Sequence, residues 1–535
     1  MSAAQPAAHS VVETRSGKLR GALSDQAGPP IYSFKGIPYA ASTAGANRFR
    51  APQPVAPWAG VRDALEFGPT CPQLNIRDSE YFAWYHPVLN GGEDCLRLNV
   101  YTPGIESAGQ GKRPVMVWIH GGGFISGAGS AAVFEGTNLS RYGDVVVVTV
   151  THRLGVMGFL NLGTYDASVP ESGNAGMLDL VAALEWVRDN IASFGGDPAN
   201  VTVFGQSGGT GKISTLLAMP AARGLMHKVI MQSGCALILR TPEQAASHTH
   251  SVLSQLPPGM WDGKSADSLR KVPFEQLVTA TKAGGARFGA YVDGAIVATH
   301  PSEPDAPEVS RDVSIIIGSA SEEASYTYRK DMAVLSLNDM AEVRARLVHK
   351  LGCDQAMADH LIEVHGRARP GATPAQLLFA VESEYLYRLR CTQYAERKSA
   401  QAERGGAPVW MYYFSWQTPA LGGLFGAPHC VCVPLVFRNQ HLATALLGDG
   451  PDTQAISDRL CEAWMAFARK GDPAHAAGMS AWKPYRLPQR ATLFFDRQCR
   501  VVDDPMPEQR QAMERHGAHA NYISSTRARF VRQPA

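Results

Sequence analysis

Residues Val201 to Gly209 read V-T-V-F-G-Q-S-G-G, a β-branched run that ends abruptly in the pattern G-x-S-x-G. The run predicts a buried strand, and helix-compatible sequence follows from about Ser214. Glycines on both sides of Ser207 permit a very tight turn, which would expose the serine hydroxyl at the carboxyl end of a parallel sheet. The stretch therefore predicts a nucleophile elbow at Ser207, and the alternative is an ordinary strand-to-helix turn.

A second glycine-rich segment also follows a predicted strand. Arg113 to Phe124 read R-P-V-M-V-W-I-H-G-G-G-F. Glycine lets such a loop turn several backbone N–H groups toward one point, and converging donors of this kind stabilise an oxyanion. We predict Gly122 and Gly123 as donors, with the N–H of Gly208 as a third. His120 is interpreted as a structural residue of the loop rather than a catalytic base.

The same region has a partial likeness to a phosphate-binding loop. Gln206 to Ile213 read Q-S-G-G-T-G-K-I, whereas the nucleotide motif is G-x-x-x-x-G-K-[ST]. Gln206 replaces the first glycine, and Ile213 stands where the motif requires serine or threonine. The mismatches argue against nucleotide binding, and Lys212 is interpreted as a solvated or capping lysine.

Composition and charge indicate a globular protein with a sizeable core. Of 535 residues, 45% are hydrophobic and 18% are charged, and the formal net charge is only +2. The sequence has no basic tract and no apolar run near the roughly 18 residues that a membrane span needs. The first ten residues, M-S-A-A-Q-P-A-A-H-S, have neither a basic start nor an apolar stretch. We therefore predict no nucleic acid partner, no membrane span, no signal peptide and a cytoplasmic location.

Nine cysteines leave at least one thiol unpaired even in an oxidising compartment. Cys71 and Cys95, 24 positions apart around an aromatic-rich loop, are the best candidates for a disulfide. Such a bridge, with a signal peptide removed, would instead indicate a periplasmic or secreted protein. The sequence H-C-V-C at 429–432 lacks a second cluster that would complete a metal site. We predict neither a metal nor another cofactor.

Strand-like and helix-like segments alternate through the middle of the chain, as in a mostly parallel sheet flanked by helices. The β-branched runs that predict buried strands are 115–119, 145–150, 201–204 and 228–232. Between two of them, one apolar stripe at helical spacing predicts a helix that ends at Gly195. Its members are Leu180, Leu184, Val187, Ile191 and Phe194. Residues from about 236 to 310 break this rhythm and predict a helical cap inserted into a single catalytic domain, 1–535.

The chain resembles the type-B carboxylesterase/lipase family, the cholinesterase-like branch of the α/β hydrolases, and its bacterial members in particular. The resemblance covers nearly the whole length and rests on five blocks in the family's order. They are F-K-G-I-P-Y-A at 34–40, G-E-D-C-L-R-L-N-V at 92–100, R-L-G-V-M-G-F-L at 153–160, G-N-A-G-M-L-D at 173–179 and F-G-G-D-P-A-N-V-T-V-F-G-Q-S-G-G at 194–209. The resemblance implies the α/β-hydrolase fold with helical cap insertions.

The resemblance also implies a catalytic triad in the order serine, acid, histidine. Ser207 matches the nucleophile. The acid block reads G-S-A-S-E-E-A at 318–324, where Glu323 matches and the neighbouring Glu322 is the alternative. The histidine block reads G-A-P-H-C-V-C-V-P-L-V-F at 426–437, so His429 matches. His429 would accept the serine proton, and the acid would orient the imidazole.

Two positions near the implied triad depart from the family. Gln206 stands where a glutamate usually precedes the nucleophile, and Cys432 stands where a carboxylate usually follows the histidine by three residues. Both changes remove negative charge, which implies a site less suited to quaternary ammonium substrates. Neutral drift in a buried polar cluster is the alternative.

Four side chains are candidates for substrate binding. One loop of the family overhangs the active-site gorge, and in this chain it corresponds to the residues between Cys71 and Cys95. Its aromatic residues are therefore expected at the mouth of the gorge. A satellite hydrophobic cluster beneath a long loop is the alternative. The candidates are Gln206, Phe124, Trp84 and Tyr85.

These features together predict a serine carboxylic ester hydrolase that acts through an acyl-enzyme on a small to medium, neutral ester. An amidase or a carbamate hydrolase could use the same triad. A non-catalytic scaffold protein of the same fold is a third alternative, although such proteins typically lose the serine. The partner is a small-molecule ester, while the acyl group, the alcohol and the oligomeric state are not predicted.

Overall fold

The computed structural model describes residues 9–24, 28–105 and 112–516, and the first eight residues, which carry most of the signal-peptide prediction, lie outside it. Within this range, a single mixed sheet contains thirteen strands. They are β1 His9–Thr14, β2 Gly17–Leu23, β3 Tyr32–Pro38, β4 Val61–Asp63, β5 Arg97–Thr102, β6 Arg113–Ile119, β7 Val146–Thr151, β8 Gly196–Gln206, β9 Lys228–Gln232, β10 Ser314–Ala320, β11 Val409–Phe414, β12 Thr492–Phe495 and β13 Arg500–Val502. The order is β1-β2-β3-β5-β7-β6-β8-β9-β10-β11-β12-β13, with β4 beside β2.

Sixteen α-helices accompany the sheet in the described residues. They are α1 Thr137–Gly143, α2 Gly155–Phe159, α3 Ala175–Asn190, α4 Gly208–Leu216, α5 Pro242–Leu253, α6 Ala266–Leu269, α7 Phe274–Ala283, α8 Met332–Leu335, α9 Met340–Leu351, α10 Gln355–Ala368, α11 Pro374–Ser383, α12 Leu389–Glu403, α13 Cys432–Val436, α14 Thr444–Leu447, α15 Pro451–Lys470 and α16 Pro507–Arg515. None of the helices described is long and apolar enough to cross a bilayer.

The centre of the sheet is parallel and buried on both faces. All neighbouring pairs from β7 through β12 are parallel, whereas β1, β2, β3, β5 and β13 pair antiparallel at the two sides. In β6, Val117 and Ile119 pack into one hydrophobic cluster and Trp118 packs into the other. This alternation is the period of two expected for a strand covered on both sides. The predicted α/β fold with a mostly parallel central sheet is confirmed.

The predicted helix and its stop are confirmed. The apolar stripe runs along α3, and a 3₁₀ turn, Ile191–Phe194, extends it to Gly195, whose φ of 75° ends the helix. The stripe buries its leucines in the cluster on one face of the sheet. The helix after the elbow begins earlier than predicted, because α4 starts at Gly208 rather than near Ser214. Packing against neighbouring loops overrides the low helix propensity of its glycines.

Two helical segments are inserted in the chain between strands that are neighbours in the parallel sheet. Residues 236–310 hold α5, α6 and α7 between β9 and β10, where a helical cap is predicted. Leu253, Leu277 and Phe288 of this segment share a hydrophobic cluster with Phe159 of α2. A second segment, from α8 to α12, separates β10 from β11 and was not predicted from the sequence. Helices of this kind lengthen the connections that parallel strands require.

Candidate active site

Four strands bring the predicted site residues to one edge of the sheet. Ser207 directly follows β8, and the glycine loop follows β6. Glu323 lies just after β10, and His429 lies in the loop after β11. Ile119 pairs with Gly205 in the parallel register of β6 and β8, so the glycine loop begins beside the elbow. Since the carboxyl ends of parallel strands meet at one edge, residues more than 200 positions apart become neighbours.

The elbow holds Ser207 in a strained backbone conformation. Its φ is 57° and its ψ is −122°, values that a residue with a Cβ rarely adopts. A conformation of this kind costs about 1–3 kcal/mol and persists only where the surrounding structure imposes it. Part of that support is the hydrogen bond from the Ser207 N–H to the carbonyl of Gln232, at an N···O distance of 3.0 Å. The side chain itself is only half-buried, so a substrate can reach it.

The glycine loop and the start of α4 lie in direct contact. Gly122 and Gly123 have φ angles of 83° and 62°, the left-handed region that glycine adopts without strain. Gly208 packs so tightly that a Cβ there would overlap the backbone of Gly123. Among the described residues, no protein acceptor takes the N–H of Gly122 or Gly123. The N–H of Gly208, at the first position of α4, has no intrahelical acceptor either.

His429 and Glu323 form a buried pair. The Nδ1 of His429 lies 2.5 Å from Oε2 of Glu323, and the two residues are 3% and 1% exposed. The other carboxylate oxygen of Glu323 accepts a hydrogen bond from the N–H of Ala320, at 2.7 Å. Because a carboxylate accepts hydrogen bonds, Nδ1 carries the proton and Nε2 presents its lone pair. This is the tautomer that a general base needs.

Gln206 lies against the opposite nitrogen of the imidazole. Its amide nitrogen is 3.0 Å from Nε2 of His429, and the hydroxyl of Tyr85 donates to its Oε1 at 2.8 Å. With Oε1 occupied by Tyr85, the amide NH₂ is the group that faces the imidazole, where it donates to the Nε2 lone pair. Among the described contacts, the hydroxyl of Ser207 has no hydrogen bond to His429. Gln206 therefore holds the imidazole in the basic tautomer in the absence of substrate.

Glu322, the alternative acid, points elsewhere. Its Oε2 accepts hydrogen bonds from the N–H of Ala427 and from the amide of Gln417, both at 3.0 Å, and from the hydroxyl of Ser321. Arg369 lies 3.7 Å from its other oxygen. Glu322 thus binds the loop that carries the histidine but does not contact the imidazole.

Two tyrosine rings that were not predicted from the sequence flank His429. The ring of Tyr387 lies 4.9 Å from the imidazole centroid, and that of Tyr326 lies 5.6 Å from it. Tyr326 belongs to the 3₁₀ helix Glu323–Tyr328, three residues after the acid. This spacing of about one helical turn from Glu323 could have indicated Tyr326. No feature of the sequence indicated Tyr387, which comes from the second helical segment. The rings restrict the rotation of the imidazole.

The structure brings two of the four predicted substrate-binding residues against the site. Gln206 contacts His429, and Tyr85 is buried against Gln206. Phe124 follows the glycine loop directly, half-buried and edge-on to Phe159 at 5.1 Å. Trp84, also half-buried, instead donates its indole N–H to Tyr81 and packs edge-on against Tyr85.

The cysteines near the site are buried thiols. Gln232 donates to the sulfur of Cys432 at 3.0 Å, and burial raises the pKa of the Cys432 thiol to about 12. Cys71 and Cys95 are both free in this structure, so the predicted bridge is not formed in it. A hydrogen bond to Cys71, followed by burial, raises the pKa of Cys95 well above its ordinary value. The two thiols are therefore neighbours.

The interpretation of Lys212 as solvated or capping is wrong. Its side chain is fully buried, and its Nζ donates to the carbonyl of His120 at 3.0 Å. His120 is buried as well, with its Nδ1 2.9 Å from the carbonyl of Gly121. Burial lowers the pKa of His120 well below its ordinary value. A neutral imidazole bound to its own loop fits the structural role predicted for this residue.

The chain matches known carboxylesterases over nearly its whole length. The model of the carboxylesterase family matches residues 8–513. The para-nitrobenzyl esterase of Bacillus subtilis is 35% identical over 94% of this chain and 98% of its own. The phenmedipham hydrolase of Pseudarthrobacter oxydans is 33% identical over 90% of this chain and 94% of its own.

Solved structures give the same result. A crystal structure of a carboxylesterase from Geobacillus stearothermophilus superposes with a TM-score of 0.79 at 34% identity, covering 94% of this chain and 99% of its own. The range that the family model matches, 8–513, includes the glycine loop, the elbow and the acid and histidine loops. The chain belongs to the carboxylesterase family, and its fold is the α/β-hydrolase fold.

Proposed function

We propose that the protein hydrolyses small to medium, neutral carboxylic esters, with Ser207 as nucleophile, His429 as general base and Glu323 as the orienting acid. The observation that carries the proposal is the buried pair of His429 and Glu323 at the edge where the elbow exposes Ser207. The N–H groups of Gly122, Gly123 and Gly208 supply an oxyanion hole. A donor of this kind is worth about 2.7–4 kcal/mol in the transition state.

The reaction proceeds through an acyl-enzyme. Nε2 of His429 leaves Gln206 and takes the proton of Ser207 as Oγ bonds to the ester carbonyl carbon. The imidazolium then returns that proton to the departing alkoxide, and the C–O bond to the alcohol breaks. Water, deprotonated by the same imidazole, attacks the acyl carbon. The bond from that carbon to Oγ then breaks, the imidazolium returns its proton to Ser207, and the carboxylic acid is released. The glycine N–H groups stabilise both tetrahedral intermediates.

Neutral substrates are supported by the groups that surround the imidazole. Gln206, Tyr85 and Cys432 present an amide, a phenol and a thiol, and burial raises the pKa of Tyr85 and of Cys432 above their ordinary values. These groups are uncharged at neutral pH. The carboxylate of Glu323 is already bonded to the imidazole. Among the described residues that contact the imidazole, none therefore offers a cationic substrate a further anion.

A choline ester is expected to show no advantage over a neutral ester of similar size and leaving-group reactivity. Gln206→Glu should improve kcat/KM for the choline ester relative to the neutral ester, because a partly desolvated anion attracts the trimethylammonium group. The measurement is the ratio of the two kcat/KM values in the wild type and in the variant. A strong preference of the wild type for choline would contradict the proposal and point to cation–π binding by residues such as Trp84 or Tyr85.

The same variant is expected to change the pH profile. In Gln206→Glu, a carboxylate replaces the amide that donates to Nε2 of His429, and it stabilises the imidazolium instead. The base then stays protonated to higher pH, so the acid limb of kcat/KM should move upward on the pH axis. Gln206→Met removes the donor that stabilises the neutral imidazole but adds no anion, so it should move the acid limb upward by less than Gln206→Glu does. Equal profiles in the wild type and Gln206→Glu would show that residue 206 does not contact the catalytic imidazole.

Carbamate hydrolysis is the second candidate function. The relative from Pseudarthrobacter oxydans is named as a phenmedipham hydrolase, and its similarity covers 90% of this chain. A carbamoyl-serine forms by the same steps as an acyl-serine. Aryl esters and aryl carbamates of one phenol, and anilides of the matching aniline, assayed on wild type and Ser207→Ala, separate the three activities.

We infer that residues 236–310 act as a cap over the catalytic domain, with Phe124 and Trp84 near the substrate path.

Free thiols at Cys71 and Cys95 are compatible with a cytoplasmic enzyme, in which reducing conditions prevent the bridge. The mass of alkylated Cys71 and Cys95 in protein isolated with thiols blocked tests this inference.

A further inference from the structure

A buried lysine, Lys212, lies directly behind the glycine loop that begins at His120. The side chain of Lys212 is 0% exposed, and burial lowers its pKa to about 7. Among the described residues, no carboxylate forms an ion pair with it; its Nζ donates to the carbonyl of His120 and lies 5.7 Å from the ring centroid of Phe124. A buried charge without a counter-ion is costly for folding, so stability does not account for it.

The bond of Lys212 joins the two elements that form the oxyanion hole. His120 is the first residue of the H-G-G-G loop, and its carbonyl belongs to the peptide unit that precedes Gly121. Lys212 belongs to α4, whose first residue is Gly208. The glycine loop supplies two proposed donors and α4 supplies the third. The Lys212–His120 hydrogen bond therefore ties together the sources of all three N–H groups.

Two neutral histidines lie close enough to Lys212 to be influenced by its charge. The rings of His120 and His152 stack with centroids 5.0 Å apart. Each Nδ1 faces a backbone carbonyl, at 2.9 Å for His120 and 2.8 Å for His152, and each Nε2 is buried without a hydrogen-bond partner. Burial and then the charge of Lys212 lower the pKa of both imidazoles well below the ordinary value.

These contacts leave Lys212 as the titrating group near neutral pH. Arg153, the remaining cation beside His152, is paired with Asp179 at 2.6 Å. Both imidazoles are neutral under the same conditions, because their pKa values lie below the neutral range. A change of charge behind the oxyanion loop between pH 6 and pH 8 can thus come only from the lysine among these groups.

We propose that Lys212 is a positioning residue of the oxyanion hole, which in its ammonium form holds the glycine loop against α4 and adds positive potential behind the developing oxyanion. The proposal rests on the triad and the oxyanion hole proposed above. A hydrogen bond from an ammonium is about twice as strong as one from a neutral amine, so the lysine performs this role best when protonated. The proton that Lys212 carries is not transferred in the reaction.

The first test is Lys212→Met, which keeps a long unbranched side chain and removes the charge. We expect kcat to fall about tenfold, less than for loss of an oxyanion donor, with KM changed by less than about twofold. A trifluoromethyl ketone adds to Ser207 and places an oxyanion in the hole, so its affinity should fall with kcat. The matching methyl ketone, which stays a ground-state ligand, should bind both proteins equally.

The second test is the pH dependence of kcat. As pH rises through about 7, Lys212 loses its proton, and kcat of the wild type should fall toward a plateau about fivefold lower. Lys212→Arg, which stays protonated, should lack this alkaline fall. Lys212→Met should lack it as well, at the low activity. The methionine variant thus gives the answer even where an arginine cannot be accommodated.

Thermal unfolding separates this role from a structural one. The pKa of Lys212 is about 7 in the fold and about 10.4 in an unfolded chain, so the unfolded chain binds more protons between these pH values. The penalty of burying the ammonium is complete below about pH 7 and shrinks as pH rises. Lys212→Met removes this penalty and should unfold at a temperature at least as high as the wild type at pH 6.

Lys398 provides a matched control. It is buried too, and burial lowers its pKa to about 8. Its Nζ donates to the carbonyls of Ser310 and Arg311, which precede β10 at the end of the strand opposite Glu323. Lys398→Met should leave the pH profile unchanged, and it should leave kcat unchanged when kcat is calculated per active site titrated with the fluorophosphonate.

Fluorophosphonate labelling of the wild type at Ser207 tests the proposed triad separately from Lys212. With labelling established, a Lys212→Met variant whose kcat and trifluoromethyl ketone affinity stay within about twofold of the wild type would overturn the proposal. The proposal would also be overturned if Lys212→Met lost as much affinity for the methyl ketone as for the trifluoromethyl ketone and unfolded at a lower temperature than the wild type. That result would show a purely structural lysine.

Discussion

Ser207→Ala is expected to abolish ester hydrolysis, with a fall in kcat of about six orders of magnitude. The hydroxyl of Ser207 is the protein group that bonds to the acyl carbon in the proposed reaction. Alanine keeps a Cβ, so the strained φ of 57° is as costly as in the wild type and the elbow should keep its shape. A fluorophosphonate probe should label the wild type stoichiometrically and leave the variant unlabelled, as measured by intact-protein mass.

Ser214→Ala is the matched control on the same helix. Ser214 is buried in α4, where its hydroxyl donates to the carbonyl of Thr210 at 2.7 Å and accepts from the N–H of Ala236. Its loss should lower thermal stability slightly and leave labelling of Ser207 intact. Labelling of a different serine, or wild-type turnover in Ser207→Ala, would refute the mechanism.

The features that sequence predicted correctly are those whose backbone geometry demands particular residue types. A nucleophile elbow needs small residues two positions before and after the serine, here Gly205 and Gly209. A loop that aims several N–H groups at one point needs glycine, so both features are visible in a short stretch. The apolar stripe of α3 is likewise local, because its period of 3.6 residues is written in consecutive positions. The acid and histidine required the family resemblance, since nothing around Glu323 or His429 distinguishes them from other carboxylates and imidazoles.

The features that sequence could not give depend on contacts between distant segments. Gln206 meets His429 across 223 positions, and only the assembled sheet shows that an amide faces the imidazole. Lys212 stands among glycines and a threonine, a context typical of a solvated residue, yet the loop after β6 covers it. The start of α4 at Gly208 has the same origin, because packing supplies the stability that glycine lacks in a helix.

The two neighbouring glutamates show how small a difference separates a catalytic group from a supporting one. Both are buried, 8% exposed for Glu322 and 1% for Glu323. The carboxylate of Glu323 reaches Nδ1 of His429, whereas that of Glu322 receives the N–H of Ala427 in the loop before the histidine. Glu323 therefore acts on the imidazole, and Glu322 acts on the backbone that carries it. Removing either charge should lower activity, but by very different amounts.

Glu323→Gln is expected to lower kcat by about four orders of magnitude with little change in KM. Glutamine turns its NH₂ toward Nδ1, which drives the proton to Nε2, where the imidazole can no longer accept the proton of Ser207 and meets the donating amide of Gln206 instead. Glu322→Gln, the matched control, keeps an acceptor for the N–H of Ala427 and should cost less than about tenfold. Single-turnover acylation by an aryl ester measures both variants. The reverse ranking would move the acid to Glu322.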